Sequence, residues 1–424
     1  MQRRDLILAG VSLLTGTHAL APSRAQSQTQ NPASRLLNAL QANRLSLTMT
    51  ARPAGPGWDW LVQQARNASI TLIGEQPGVA ETAQFSAALF ATLRDADYKR
   101  VALALSPAIA NDVEAAARRN GVQGIADLLR TPTLWTFSNL REEAQFMADV
   151  IAAAPRDEKV LWGIDREIFS DRYLIARLEA RVPTSARAPF ARLKQASLDA
   201  LTTFQRTSNR DDMFLLAADP SLVTAVRNAW PNTDAESDDI LRTLEGSLVI
   251  ETAERTGGIW PYMQARGKWM RDNLAALIKE GQARKPAPKI MIRGGYLYMI
   301  RGANYFNMFE VGSMADEAAT LAGTRSFHIL VLPGPGSRQA VPAGQRTFGS
   351  VSSDEADDFQ AGDQRLTRVL PRSDAAGHEV IDLRALRPLA MRGLEAWNSD
   401  VVRTIHGYDA AVIWKGARAS TSLE

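Results

Sequence analysis

The stretch Ile70-Thr-Leu-Ile-Gly-Glu-Gln-Pro-Gly78 decides the fold. Its first four residues are apolar or β-branched and predict a buried strand, which ends at a Gln-Pro-Gly turn. The run 79–94 then has helical spacing, so the strand and the helix form a βα unit. In open α/β sheets the ligand binds at the carboxyl ends of the strands, and Glu75 stands at that edge. Glu75 is therefore the first candidate for a chemical role.

Similar apolar runs recur along the chain. Further strands are predicted at residues 101–105, 160–164, 289–292, 327–332 and 410–414. Helical stretches at 79–94, 107–120 and 139–154 separate the first three strands, which is typical of a parallel sheet with crossover helices. From about 170 to 285 the pattern is almost entirely helical, with helices at 187–205, 221–230, 235–254 and 260–281. We predict an α/β fold with a mainly parallel sheet, crossover helices and a large helical insertion.

The predicted organisation has four parts. Residues 1–25 form a signal peptide, residues 26–57 a lead-in segment with a short helix at 36–47, residues 58–415 the α/β domain, and residues 416–424 a tail. A helix at 58–67 precedes the first strand of the domain. Near the end of the domain, the polar stretch 341–377 predicts a long surface excursion, and a short helix is expected within 382–394.

The amino terminus predicts export. Arg3-Arg4 precede an apolar run over residues 6–20, and Ala25 closes a small-residue cleavage site. The order Gln-Arg-Arg-Asp-Leu-Ile-Leu resembles a twin-arginine signal, and an ordinary Sec signal is the alternative. The apolar run is too short to span a bilayer, and we expect no membrane span in the mature chain. The expected location is the periplasm, reached through the twin-arginine or the Sec export machinery.

Composition excludes several classes of site. The 424 residues contain no cysteine, which excludes disulfides, thiolate metal sites and cysteine nucleophiles. Lysine and arginine number 49 against 46 acidic residues, a formal net charge of +3, and no long basic run is present. Nucleic-acid binding therefore has little support, and we expect a small-molecule ligand or substrate instead.

Six short motifs in a fixed order carry a resemblance to a known family. They are Leu72-Ile-Gly-Glu75, Val160 to Asp165, the helix Arg266-Gly-Lys-Trp-Met-Arg-Asp-Asn273, Lys289 to Ile292, Gly334-Pro-Gly-Ser337 and Gly407-Tyr-Asp-Ala-Ala-Val-Ile413. In this order they resemble the erythromycin esterase-like family, which belongs to a wider α/β superfamily that also holds haem-uptake-like proteins. The resemblance covers roughly residues 58–415. It implies a hydrolytic centre in which histidine and glutamate activate a water at an ester carbonyl.

The chain departs from this family at the catalytic positions. Gln76-Pro77-Gly78 follows Glu75, where the family continues to a histidine. Ser106 ends the run Ala-Leu-Ser, where the second strand of the family usually ends in a glutamate. The run from Gly294 to Tyr298 replaces a His-Asn-x-His type of motif. Only Glu75 remains of the set that the resemblance implies.

The histidines of the chain offer no replacement. They are His18, His328, His378 and His406. His18 lies in the predicted signal, His378 is expected at the solvated surface, and His328 is expected to be a core or edge residue within a strand. No two of them have metal-ligand spacing, and the chain has no Gly-x-Ser-x-Gly elbow. We predict no metal and no other cofactor.

Two interpretations of Glu75 remain open at this point. It acts as a base, or it caps the following helix or pairs with a cation. Asp165 and Glu167 end another strand and are candidates for a second acid near Glu75. Two close carboxylates would raise the pKa of one of them, which suits water activation or the binding of a hard cation. The alternative for these acids is a salt-bridged rim with Arg166 and Arg293.

Aromatic residues cluster before and after the fourth strand. Tyr296 and Tyr298 occupy the slots where the resembling family carries histidines, and a tyrosine offers a stacking face and a polar tip to a ligand. The alternative is that they belong to the core. Arg266 and Asn273, from the resembling helix, are the other candidate ligand-binding residues.

The sequence thus predicts an exported erythromycin esterase-like protein, a degenerate or rearranged hydrolase that acts on or binds a small organic ester. The assigned residues are Glu75 as base, Asp165 as second acid, Arg293 or Arg266 as oxyanion stabiliser, and Tyr296 and Tyr298 as positioning groups. The alternative is a periplasmic ligand- or haem-binding protein without catalysis, in which Tyr296, Tyr298 or Met299 is the iron ligand. A structural envelope protein without a small ligand is a third hypothesis.

Overall fold

The computed structural model describes residues 32–50, 52–136, 138–340, 349–352, 377–392 and 399–423. The predicted signal peptide and most of the predicted excursion at 341–377 lie outside these residues. The strands are β1 Arg44–Leu47, β2 Ile70–Glu75, β3 Tyr98–Leu103, β4 Leu161–Gly163, β5 Lys289–Gly295, β6 Ser326–Pro333, β7 Ser337–Ala340, β8 Gly349–Ser352, β9 His378–Asp382 and β10 Ala410–Trp414. The helices are α1 Pro32–Ala42, α2 Pro56–Arg66, α3 Ala80–Leu93, α4 Pro107–Leu129, α5 Arg141–Ala152, α6 Asp171–Glu179, α7 Arg187–Thr207, α8 Phe214–Ala217, α9 Ser221–Ala229, α10 Ala235–Gly257, α11 Ile259–Gln282, α12 Tyr296–Met299, α13 Val311–Leu321, α14 Arg387–Arg392 and α15 Ser399–Gly407.

One eight-stranded sheet organises the described part of the chain, in the order β1-β9-β10-β6-β2-β5-β3-β4. The strands from β10 to β4 pair in parallel, whereas β9 and β1 add antiparallel pairs at one edge. From β2 the chain moves to β3 and β4 on one side, and it later places β6 and β10 on the other. The strand order therefore reverses at β2. Its last residue, Glu75, lies at the switch point where α/β sheets bind ligands.

Helices cover both faces of β2, and all six of its residues are buried. Ile73 belongs to a first core, which it shares with residues of α3, α4 and α5. Leu72 belongs to a second core, which includes residues of α11, α13 and α15. Burial on both faces explains why β2 reads as a continuous apolar run rather than as an alternating pattern.

The predicted α/β fold with a large helical part is confirmed. Each of the six predicted strands is present, and β10 has the predicted ends. Between β4 and β5, the four predicted helices correspond to α7, α9, α10 and α11, and the shorter helices α6 and α8 join them. Among the described helices, none combines the length and apolar character that crossing a lipid bilayer requires.

Two local predictions are wrong at the antiparallel edge. The helix expected over 36–47 ends at Ala42, and residues 44–47 form β1, because Leu47 fills the first core while β1 pairs with β9. His378, expected at the solvated surface, begins β9 and is half-buried. Its ring packs edge-on against Trp414, with ring centroids 5.1 Å apart. Both errors arise because β1 and β9 are short strands that pair with each other although they lie far apart in the sequence.

The chain approaches itself closely around the end of β2. A Cβ on Gly74 would lie 2.5 Å from the hydroxyl oxygen of Tyr408, which donates a hydrogen bond to the Tyr296 carbonyl. Gly78 has a φ of +92°, and a Cβ there would collide with the carbonyl oxygen of Gln339. Glycine is needed at both positions, so the Gly-Glu-x-x-Gly sequence reflects packing around the strand end.

The central position of β2 predicts a large effect of truncating its side chains. Leu72 is fully buried, and Leu72→Ala is expected to lower the free energy of unfolding by about 2–5 kcal/mol because it leaves a cavity. Leu321→Ala is the matched control, since Leu321 is 90% exposed, and its effect should stay within about 0.5 kcal/mol. Urea denaturation followed by circular dichroism measures both. Equal losses in the two variants would contradict this account of the core.

Candidate functional site

A buried ion triad lies at the end of β2. Arg293 of β5 donates from Nη2 to Glu75 Oε2 at 2.7 Å. The same guanidinium donates from Nη1 and Nη2 to the two oxygens of Glu143, at 2.9 and 2.6 Å. The Phe146 ring covers the guanidinium, with the ring centroid 4.7 Å from its central carbon. Arg293 and Glu75 are buried, with exposures of 2% and 7%, whereas the Glu143 side chain is 12% exposed and lies at the rim of the triad.

The balance of charge in this triad sets its protonation. Burial raises the pKa of Glu75 to about 7; Arg293 opposes the rise and the second carboxylate, Glu143, adds to it. Burial would lower the pKa of Arg293, but the two carboxylates raise it above its ordinary value. One guanidinium cannot neutralise two carboxylates, so the triad favours holding one proton near neutral pH. Glu75 is thus a carboxyl poised between its acid and base forms.

The partner of Glu75 comes from an unexpected element. Glu143 lies in the first turn of α5, where an acidic residue usually complements the helix dipole. Asp165 and Glu167, the predicted second acids, follow β4. Three strand spacings, about 14 Å, separate the axes of β4 and β2. The structure therefore places Glu143, rather than Asp165 or Glu167, beside Glu75. Glu75 also makes no cap, because Val79 occupies the N-cap position of α3 and no side chain caps this helix.

A second polar cluster contains Asp165, Arg266 and Tyr298. Arg266 of α11 binds Asp165 with two hydrogen bonds, from Nε at 3.0 Å and from Nη2 at 2.5 Å. Its Nη1 donates to the Tyr298 hydroxyl at 2.8 Å. Tyr298 and the neighbouring Tyr262 belong to the second core, whereas Phe146, whose ring contacts Arg293 of the triad, belongs to the first. The predicted site residues thus form two clusters on opposite faces of the sheet.

Cations outnumber anions around Asp165. Burial would raise the pKa of Asp165, but Arg266 and Arg166 outweigh burial and lower it. Arg166 also binds Glu251 of α10, and its Nη2 donates to the Tyr262 hydroxyl at 2.6 Å. Asp165 is therefore a fixed anion that anchors two arginines, which suits a structural pair better than proton transfer.

The remaining predicted ligand-binding residues have packing roles in this conformation. Asn273 donates from Nδ2 to the Ile164 carbonyl at 3.2 Å and accepts from Arg242 Nη1 at 2.9 Å, so it ties α11 to the end of β4. Tyr296 is buried, and its ring packs edge-on against that of Tyr305 at 5.9 Å. Tyr298 is buried as well, and its hydroxyl donates to the Met263 sulfur.

The haem hypothesis relied on Tyr296, Tyr298 or Met299 as the iron ligand. All three side chains are buried, and Met299 is fully enclosed. An iron ligand at these positions would first have to leave the second core. The described residues also contain no group of three or more histidine, aspartate and glutamate side chains placed to hold a metal ion.

Glu310 is a second carboxyl with an unusual environment. It immediately precedes α13 and is 1% exposed, and neither of its oxygens has a hydrogen-bond partner among the described residues. The nearest cation is Arg271, whose Nη1 lies 3.6 Å from Oε2 and donates to the Phe309 carbonyl instead. Burial raises the pKa of Glu310 to about 7. In the sequence, Glu310 stands out only as an acid within the apolar run Met308-Phe-Glu-Val311. An ordinary acid before a helix occupies the same kind of position, so the sequence does not single out Glu310.

No described histidine contacts either cluster. His328 is fully buried in β6, its Nδ1 lies 2.8 Å from the Met299 carbonyl and its Nε2 lies 2.8 Å from the Ser326 hydroxyl. Burial lowers the pKa of His328 to about 4, so the ring stays neutral near pH 7. As predicted, His328 is a satisfied core histidine. His406 lies in the last turn of α15.

Two cavities flank the clusters without containing Glu75. A cavity of about 20 Å³, enough for a single water, lies between Ser106, Asp165 and Glu167. A groove of about 600 Å³ lies on the outer side of α3 and α5. Phe146 lines this groove, and its ring also contacts the Arg293 guanidinium. Because Glu75 and Arg293 are buried, access to them requires movement of a covering element.

No protein-family model and no curated protein matches the chain by sequence. Solved structures match it over nearly its whole length. An erythromycin esterase variant in its open conformation has 14% identity and a TM-score of 0.59, over 90% of this chain and 99% of that one. A succinoglycan biosynthesis protein has 12% identity and a TM-score of 0.58, over 92% and 98%. A Bacillus cereus protein has 13% identity and a TM-score of 0.57, over 92% and 99%. The fold is that of the erythromycin esterase-like proteins, in agreement with the resemblance seen in the sequence.

The environment of Glu310 predicts a pH-dependent stability. The pKa of Glu310 in the folded protein, about 7, exceeds its ordinary value of 4.5. The contribution of Glu310 to the free energy of unfolding is therefore fully present below pH 4.5 and is lost as pH rises through 7. Glu310→Gln removes this loss. Relative to the unaltered protein, the variant should gain up to about 3 kcal/mol of unfolding free energy between pH 4.5 and pH 8. Urea denaturation at a series of pH values measures the difference.

Glu317→Gln is the control for this experiment, because Glu317 is exposed on the adjoining helix α13. Its effect should be small at every pH. A Glu310→Gln difference that does not change with pH would show that Glu310 is ionised in the folded protein throughout this range.

Proposed function

We propose that this chain is a hydrolase of small organic esters with a rearranged catalytic centre, in which Glu75 is the acid–base group. The observation that carries the proposal is the buried Glu75–Arg293 pair at the switch point of the sheet, with the pKa of Glu75 raised to about 7. A general base works best when its pKa lies near the operating pH. The fold of an erythromycin esterase supports the reaction class by analogy.

The chemistry assigned to the triad needs only its own groups and a water. Glu75 takes a proton from the water while the water oxygen attacks the ester carbonyl. The same proton then passes to the alkoxide as the carbon–oxygen bond breaks, which regenerates the carboxylate. Arg293 carries positive charge beside the developing oxyanion, and its Nε, which has no hydrogen-bond partner among the described residues, is the donor left for it.

The compartment forms part of the proposal. The signal-like amino terminus supports export of the chain to the periplasm, where a small ester would be the substrate. Asp165, Arg266, Tyr298 and Asn273 are then assigned to holding the helical region against the sheet rather than to the chemical step, because each has protein partners.

A second function, ligand binding without turnover, is favoured by a separate observation. Both carboxylates of the triad are engaged by Arg293, and the described histidines lie elsewhere. A site with this geometry can hold a ligand through Arg293 without activating a water. The two functions differ in whether an ester is consumed.

The test is hydrolysis of a panel of chromogenic esters and a macrolide lactone as a function of pH. On the hydrolase proposal, kcat/KM should rise as pH increases through about 7, because the carboxylate form of Glu75 is the active one. Glu75→Gln should lower kcat/KM by about 100- to 10,000-fold. Circular dichroism verifies that the variant is folded.

Glu143→Gln separates the role of Glu75 from a general loss of structure. Because Glu143 raises the pKa of Glu75, this variant should move the pH profile to lower pH. Glu317→Gln, on an exposed position of α13, should leave the profile unchanged. A wild-type protein that consumes none of the esters above buffer, yet is stabilised against heat by one of them, would replace the hydrolase with the binding function.

A further inference from the structure

The end of the chain crosses the site. We call residues 415–423 the C-terminal strap. Beyond β10, its backbone bonds to the start of α3, since Ala80 donates to the Arg418 carbonyl at 2.9 Å and Ser420 donates to the Gly78 carbonyl at 2.9 Å. It then bonds to the start of α5, since Arg141 donates to the Thr421 carbonyl at 2.7 Å. Residues 416–423 of the predicted tail are therefore docked across the start of α3, the helix that follows Glu75, and the start of α5, the helix that carries Glu143.

The strap supplies caps that these helices lack. Helix α3 begins after Val79 and helix α5 after Leu140, and neither apolar residue has a side chain that can accept a hydrogen bond. The first N–H groups of a helix have no partner inside the helix and need an external acceptor. The carbonyls of Arg418 and Thr421 provide one to each helix. Loss of the strap would therefore leave both first turns uncapped.

Two adjacent residues of α5 join the strap to the triad. Glu142 accepts hydrogen bonds from the Thr421 backbone N–H at 2.7 Å and from its hydroxyl at 3.1 Å. Glu143, the next residue, binds Arg293. On the strap side, Arg418 donates to Glu81 of α3 at 2.6 Å. The same first turn of α5 thus holds the strap with one carboxylate and the catalytic arginine with the other.

We propose that the Glu142–Thr421 contact is a positioning contact, through which the docked strap keeps Glu143 on Arg293 and so assembles the Glu75 site. This inference rests on the proposed function only for the acid–base role of Glu75. It assigns the strap as the element that controls both the geometry of the triad and its access to water.

The consequence of undocking the strap has a definite sign. The charged groups that face Glu75 are Arg293 from β5 and Glu143 from α5. If the first turn of α5 frays, Glu143 no longer raises the pKa of Glu75, and entering water reduces the effect of burial. Both changes lower the pKa of Glu75. Loss of the positive charge of Arg418 alone would raise the pKa of Glu75, so it cannot produce the fall in pKa expected from undocking the strap.

The experiment compares three variants of the full protein. A chain ending at Trp414 lacks the strap. Thr421→Pro removes the N–H and the hydroxyl that bind Glu142 without changing charge, and Arg418→Gln removes a charge but keeps the capping carbonyl. Hydrogen exchange followed by mass spectrometry reports on the first turns of α3 and α5. Carbon-13 NMR of labelled glutamate side chains, assigned with Glu75→Gln, gives the titration midpoint of Glu75. Neither measurement depends on ester turnover, so its result stands apart from the fate of the hydrolase proposal.

In the truncated chain and in Thr421→Pro, we expect exchange in the first turn of α5 to accelerate by at least about tenfold and the Glu75 midpoint to fall by about one pH unit. In Arg418→Gln, exchange should be unchanged and the midpoint should not fall. If the truncated chain does not fold, Thr421→Pro decides the matter. Unchanged exchange in Thr421→Pro, or faster exchange with an unchanged Glu75 midpoint, overturns the proposal.

Discussion

The buried guanidinium of Arg293 is the constraint on which the rest of the site depends. A cation that is 2% exposed inside a sheet-and-helix layer costs several kcal/mol unless it is paired and hydrogen-bonded. The pairing comes from two directions, from Glu75 on the adjacent strand and from Glu143 on the overlying helix. Arg293 therefore fixes where α5 begins relative to β2, and the Phe146 ring completes its enclosure. The position of this helix is determined by a charge as well as by apolar packing.

Three buried carboxyls of the described residues differ in how they are hydrogen-bonded to arginine, and this difference accompanies their protonation. Asp165 accepts two hydrogen bonds from Arg266, and its pKa is lowered. Glu75 shares the Arg293 guanidinium with a second carboxylate, and Glu310 accepts no hydrogen bond from a described residue; the pKa of each is raised to about 7, with burial as the main cause. Burial is common to all three, so hydrogen-bonded pairing with arginine separates the fixed anion from the two groups able to change charge near neutral pH. Glu75 and Glu310, the two carboxyls with raised pKa values, lie on different faces of the sheet. Each can therefore bind a proton independently of the other.

The sequence is sufficient to predict the strands of the parallel sheet, but not to predict which side chains contact Glu75 at the site. Strands such as β2 and β10 were predictable because both faces are buried and the apolar run is continuous, whereas β1 and β9 were missed because each gains its stability from the other. Glu75 was found from the rule that ligands bind at strand ends. Its partner Glu143 was not found, since an acid in the first turn of a helix looks like a dipole partner until the fold brings it to Arg293. Tyr296 and Tyr298 matched a motif position, but their burial depends on helices that lie far away in the sequence.

The position of β2 also determines how this chain can fold. Ile70 pairs with Ile290 on one side and with Ser326 on the other, so both neighbours of the strand are made after the helical region is complete. During synthesis, β2 therefore leaves the ribosome with two open edges and two apolar faces, a combination that invites pairing with other chains. Both edges of β2 are paired only when β5 and β6 have been made, and the strap that caps α3 and α5 is made later still. A ribosome that stalls within the helical region releases a chain in which this interior strand lacks both of its neighbours, and cellular quality control has to act on that fragment before it aggregates.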